Sequence, residues 1–113
     1  MKDKLILINK YKDLIEIYSN YSLIYPRKYL KLKDMLESSL FDNLKEMYII
    51  NSISNKNIKF SRKEELLGKL KYLNYLFERL NKLNILTDKQ YKVLYLKLEE
   101  IYKYLVWWVR IDK

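Results

Sequence analysis

The residues of this chain that can do chemistry are almost all lysines, arginines and tyrosines. The stretch YPRKYLKLKDMLESSL, residues 25–40, sets a lone proline ahead of a helical pattern and places Arg27, Lys28, Lys31 and Lys33 in its first two turns. The amino end of a helix carries partial positive charge and favours Asp or Glu, so each cation there costs on the order of tenths of a kcal/mol. Cations kept against that cost suit a polyanion or an acidic surface. Arginine adds a forked geometry that matches phosphate and that lysine lacks, which singles out Arg27, Arg62, Arg79 and Arg110. A second concentration of basic residues runs from Lys56 to Lys82. The contact candidates across both zones are Arg27, Lys28, Lys31, Arg62, Lys63, Lys69, Arg79 and Lys82, each of which is otherwise a solvated side chain.

Catalytic chemistry has little to work with. The chain holds no Cys and no His, which removes thiolate nucleophiles, imidazole bases, disulfides and nearly all zinc sites. Carboxylates alone could hold a metal, but Glu64/Glu65 and Glu99/Glu100 are adjacent pairs that point to different helix faces among lysines. They read as solvated surface, and the chain is expected to be no enzyme, with no metal and no cofactor. The net charge of +9 directs it toward nucleic acid, acidic protein or anionic lipid. Part of that charge matches the Lys, Asn, Ile and Tyr usage of an AT-rich genome.

Four segments position these residues. Apolar side chains recur every three to four positions over roughly 3–23, 26–52, 62–84 and 88–110, the pattern of amphipathic helices. The first stripe is Leu5, Ile8, Tyr11, Ile15 and Tyr18, widened by Leu14, Ile17 and Tyr21. The second is Leu32, Leu36, Leu40, Leu44 and Met47, opened by Pro26 at a first helical position. SNKNIKFS, residues 54–61, reads as a polar loop and the one place for disorder, followed by a capping box of Ser61 and Glu64. The third stripe is Leu66, Leu70, Leu73, Phe77 and Leu80; Gly68, inside it, implies a close helix crossing. Thr87 and Gln90 form a second capping box, and the fourth stripe is Tyr91, Leu94, Leu98, Ile101, Leu105 and Trp108.

Helices of about 20 residues are about 30 Å long and can lie side by side. With one Gly and one Pro in the whole chain, turn-rich sheets, Rossmann folds and P-loops are excluded. The expectation is all-α: a single four-helix-bundle domain over 1–113, antiparallel and up-down-up-down, with short connections forcing neighbours to reverse. Charges interrupt every apolar run, so no membrane span is expected, and the lysine-bearing start lacks a signal-peptide cleavage site. The chain reads as cytoplasmic.

Twelve tyrosines and two tryptophans exceed what a small bundle can hide. Such a core needs about three apolar positions in seven, yet Tyr72, Tyr75, Leu76, Tyr95, Tyr102, Tyr104 and Trp107 lie off the main stripes. Surplus rings stack on unpaired bases or pack against another copy; a tyrosine at the rim with a packed ring and a wet hydroxyl is the plainer alternative. For VWWV the aliphatic neighbours favour self-association. Tyr95, Tyr102, Trp107 and Trp108 are the candidate oligomer interface.

The order of these features carries a resemblance. An aromatic-Pro-basic start at Tyr25, Pro26 and Arg27, a leucine-rich helix from Leu66 to Leu86, a short turn, Tyr91, and a closing Glu99, Glu100, Ile101, Leu105 and Trp108 run through KEELLGKLKYLNYLFERLNKLNILTDKQYKVLYLKLEEIYKYLVWW. They resemble the four-helix-bundle family of the accessory variability determinant (Avd) of diversity-generating retroelements, a family that also includes proteins encoded in intervening sequences of bacterial 23S rRNA genes. The similarity runs from about residue 14 to 110. It departs at the end of the fourth helix, where the family has small residues and glycines near the tryptophan and this chain has YLVWWVR. The resemblance implies a basic, ring-like homopentamer that binds a reverse transcriptase and template RNA or DNA, without catalysis of its own, in support of mutagenic cDNA synthesis. The alternative it implies is a stand-alone interaction bundle of the intervening-sequence type with no polymerase partner.

Overall fold

A computed structural model describes the backbone of residues 2–111 and the side chains from Ile6 to Ile111. Leu5 of the first stripe lies outside the described side chains. Four α-helices follow in order: α1 (Lys2–Asn20), α2 (Leu30–Ser52), α3 (Lys56–Lys82) and α4 (Asp88–Arg110), with a 3₁₀ turn at Arg27–Tyr29 leading into α2. There is no strand among the described residues.

Each helix packs on two others, α1 on α2, α2 on α3, α3 on α4 and α4 back on α1, while the diagonal backbones stay apart and meet through core side chains such as the rings of Tyr18 and Phe77, 6.2 Å between centroids. Side-chain bonds set the directions. Lys10 meets Glu100 while Asp13 meets Lys97, so α1 and α4 run opposite ways. Tyr11 donates to the Leu40 carbonyl at 2.6 Å and Tyr18 to Glu37, so α1 and α2 do as well. The result is an up-down-up-down bundle of 44 × 23 × 18 Å. Its core takes the stripes read from the sequence, with Leu36, Leu40, Met47, Leu66, Leu70, Leu73, Phe77, Leu80, Leu94, Leu98, Ile101 and Leu105 all buried. Leu7, Ile50, Leu76 and Val109 are buried too. Leu76 is therefore core, and not one of the surplus side chains.

Several expected boundaries move. The segment 54–61 is mostly helix: the Asn55 side chain accepts from the Ile58 N–H at 3.0 Å and caps α3 six residues before Ser61. A short polar side chain that can take a backbone donor ends a loop wherever it stands, and Ser61 and Glu64 fall inside the helix. The first helix stops at Asn20, since Ser22 adopts a positive φ of 50°. After Pro26 the chain winds tightly, with the Tyr29 N–H donating to the Pro26 carbonyl at 2.8 Å, and α geometry begins only at Leu30. The capping box of Thr87 and Gln90 is present in full, both bonds 3.0 Å long. Gly68 marks no close crossing, because a methyl group there would meet nothing within 4 Å. No described helix is long and apolar enough to cross a membrane.

Candidate nucleic-acid interface

The register between α2 and α3 decides where the basic residues go. Glu46 faces Arg62, which sets Arg79 level with Tyr29 and Lys82 level with Pro26. Between α3 and α4, Lys63 faces Trp108 and Lys71 lies over the Tyr102 ring, which brings Lys89 and Lys92 level with Lys82 and Arg79. One end of the bundle, the loop end, thus gathers Arg27, Lys28, Lys31, Arg79 and Lys82 around the 21–26 connection and the 83–87 turn. The zone from Lys56 to Lys82 does not act as one surface: α3 is 27 residues, about 40 Å, long, and its two basic clusters sit at opposite ends.

A small polar network fixes the loop end. The Tyr18 and Tyr25 hydroxyls are 2.6 Å apart, and Tyr18 donates to Glu37 at 3.1 Å. With Tyr18 donating to the carboxylate, Tyr25 donates to Tyr18. Burial pushes both phenols up from their ordinary values, so the chain of donors stays protonated at neutral pH. The Lys33 ammonium lies 5.8 Å over the Tyr25 ring, which takes Lys33 partly inward. Tyr25 and Pro26 are thereby held, and Arg27, Lys28 and Lys31 are left exposed. Neither the 3₁₀ turn nor α2 has a side-chain cap or an acidic residue in its first turn. Arg27, Lys31 and Arg79 form no ion pair among the described residues. Lys82 has only Glu78 at 3.7 Å, one turn away and exposed, a pairing worth little in water.

Across the end, the α3–α4 turn is equally ordered. The Asn81 amide donates to the Leu86 carbonyl at 3.2 Å and to Asp88 at 2.9 Å, and Asn84 takes a left-handed φ of 61°. The cations on either side of this turn stand on rigid helix ends.

At the far end Arg62 and Lys63 are used internally, whereas Lys56, Lys59 and Arg110 are not buried and form no ion pair among the described residues. Arg62 holds Glu46 with two bonds of 2.7 and 2.8 Å, and Glu46 is only 8% exposed. The hydrogen bond from Arg62 holds the Glu46 carboxyl below the usual carboxylate range. Lys63 is fully buried. Its ammonium donates to the Trp108 carbonyl at 2.9 Å and lies 4.2 Å over the Trp108 ring, where a cation complements the carbonyl end of α4. Lys63 is therefore a core residue and leaves the set of contact candidates. Lys69 is exposed midway along α3, beside a groove lined by Ser39, Asp42, Gly68 and Tyr72.

The aromatic candidates divide as well. Trp107 is 47% exposed and Tyr95 38%; Tyr102 is half-buried under Lys71. Trp108, 3% exposed, belongs to the core and offers no outer face to a neighbour, as its place on the stripe with Leu98, Ile101 and Leu105 dictates. Tyr72 and Tyr75 stack 6.5 Å apart on the surface of α3. Sequence reasoning missed Lys89 and Lys92 at the loop end; the signal was available, since a helix that starts after a five-residue reversal must begin beside the end of the one before it. Among the described residues no group of three or more acidic side chains is placed to hold a metal. No family model, no curated protein and no solved structure matches the chain.

Proposed function

We propose that the protein is a non-catalytic nucleic-acid-binding accessory bundle whose loop end docks the phosphate backbone of an RNA. The observation that carries this reading is the gathering of Arg27, Lys28, Lys31, Arg79 and Lys82 on rigid elements at one end, with Arg27, Lys31 and Arg79 outside any ion pair among the described residues. The start of α2 has neither a side-chain cap nor an acidic residue, so its positive dipole end adds to the same surface. Exposed rings such as Tyr72, Tyr75 and Tyr95 supply stacking area for unpaired bases on the adjoining helices.

The family resemblance extends this reading to a retroelement: a ring of five copies that presents template RNA to a reverse transcriptase during mutagenic cDNA synthesis. The alternative, a stand-alone bundle of the intervening-sequence type, needs no polymerase. Gene neighbourhood separates the two, because a reverse transcriptase gene and a pair of near-identical repeats accompany only the first.

The test of the binding itself is titration of a single-stranded RNA at increasing salt. Phosphate contacts release counterions with a slope of about −0.7 per contact on single strands, so five contacts weaken binding by about 100-fold between 50 and 200 mM salt. Absence of binding, or a flat salt response, overturns the reading.

A further inference from the structure

The outer face of α4 carries a second stripe that the bundle does not use. Leu94, Leu98, Ile101, Leu105 and Trp108 face the core. On the solvent side, Val93, Leu96, Glu100, Lys103, Trp107 and Arg110 follow one another in alternating steps of three and four, the seam spacing of a two-stranded coiled coil. Val93 is 42% exposed, Leu96 56% and Trp107 47%, and Glu100 and Lys103 are exposed as well.

This stripe is self-complementary in one orientation only. Laid parallel on a copy of itself, it sets Glu100 against Glu100 and Lys103 against Lys103. Laid antiparallel about the midpoint between Ile101 and Tyr102, it sets each Glu100 against the Lys103 of the other copy, each Leu96 against the other Trp107, and each Val93 against the aliphatic stem of the other Arg110. The charges then alternate at the centre and the apolar side chains meet on both sides of them, as a two-fold contact requires. Glu100 already receives the Lys10 ammonium at 2.8 Å through Oε1, which holds its carboxyl below the usual carboxylate range. Its Oε2 accepts no hydrogen bond among the described residues and remains for a second cation.

We infer that the outer face of α4 pairs antiparallel with α4 of a second copy, with Glu100 and Lys103 exchanging charges across a two-fold axis. The contact pairs copies across a two-fold axis, so it is not the one that closes a five-copy ring, and where such rings form it joins two of them; it also stands apart from the loop-end cations, none of which lies on this seam. It also separates the roles of the aromatic candidates. Trp107 is an interface anchor, whereas Tyr95 and Tyr102 lie toward α3 and flank the contact.

Particle mass by light scattering on the full chain tests it. The wild-type particle contains an even number of copies, and Lys103→Glu, which opposes two carboxylates twice, halves the mass. Glu100→Lys halves it in the same way, and mixing the two variants in equal amounts restores it, because each Glu then meets a Lys. Leu96→Glu, at an exposed position that leaves the core intact, halves the mass by removing the apolar contact, and circular dichroism of every variant retains wild-type helicity. A single-copy or odd-numbered wild-type particle, a mass unchanged by Lys103→Glu, or a mixture that fails to regain the wild-type mass overturns the inference. RNA affinity, measured in parallel, reports on the proposed function separately: its loss in the wild type overturns that reading whatever the mass.

Discussion

Arg62 and Lys63 at one end of the bundle and the cations at the other put the same residue types to opposite uses, while Lys56, Lys59 and Arg110 at the far end stay outside any ion pair among the described residues. At the far end Arg62 is clamped on Glu46, and Lys63 sits in the core on the carbonyl and ring of Trp108. At the loop end Arg27, Lys28 and Lys31 stand exposed on an uncapped helix start, with Arg79 and Lys82 level with them on α3. Composition does not separate these groups. What separates them is register: a cation that falls opposite a carboxylate or a helix carbonyl end becomes part of the fold, and one that does not remains available to a ligand. Charge density along a sequence therefore overstates the binding surface wherever helices bring acceptors across.

The comparison breaks most visibly at Trp108. Trp108→Ala removes a buried ring and the platform under Lys63, and is expected to cost about 3–5 kcal/mol in denaturant unfolding, while any folded fraction keeps its RNA affinity. Loss of affinity without loss of stability would reverse the assignment of the two ends. The Glu46–Arg62 pair sharpens the same contrast through pH. Because Glu46 has its folded carboxyl below the ordinary value, its contribution is present above that value and is lost as pH falls through the depressed one. Stability is expected to decline in acid below about pH 4.5, and Glu46→Gln should lower stability at neutral pH and flatten that decline, with no change in RNA binding.

Smaller effects fall on the helix starts. Asn55→Ala and Thr87→Ala each remove a cap that the structure uses, and each is expected to lower stability by about 1 kcal/mol. Ser61→Ala, inside α3, is expected to change it by no more than a few tenths; a full cap-sized loss there would move the helix start back to Ser61. Gly68→Ala, exposed and with open space around it, is expected to raise stability by up to about 1 kcal/mol, measured in the same unfolding experiment.

The four helices were legible because each buries a stripe of leucines at helical spacing, a signal that survives without knowledge of the neighbours. The Thr87–Gln90 box was legible for the same reason, since both partners lie within one turn. Asn55 was overlooked because Asn favours loops and caps alike, and only the backbone that follows it tells which. The fates of Arg62 and Lys63 could not be read from their own segment, since Glu46 lies 16 residues away and Trp108 lies 45 away. Trp108 was placed on the core stripe and in the interface set together, and burial settles it for the core. The gathering of Arg79 and Lys82 beside Arg27 depends on α2 and α3 running antiparallel with Glu46 opposite Arg62, which is a tertiary fact.

The central claim is that the loop-end cations, and not the far-end ones, hold RNA. Affinity for one single-stranded RNA across a salt series, compared between the wild type, Arg27→Glu/Lys28→Glu/Lys31→Glu and Lys56→Glu/Lys59→Glu, tests it most directly. The account predicts that the loop-end variant loses most of its affinity and that its salt slope falls by about 2, as removal of three phosphate contacts requires, while the far-end variant keeps the wild-type slope. Equal losses at the two ends, or a larger loss at the far end, would contradict it.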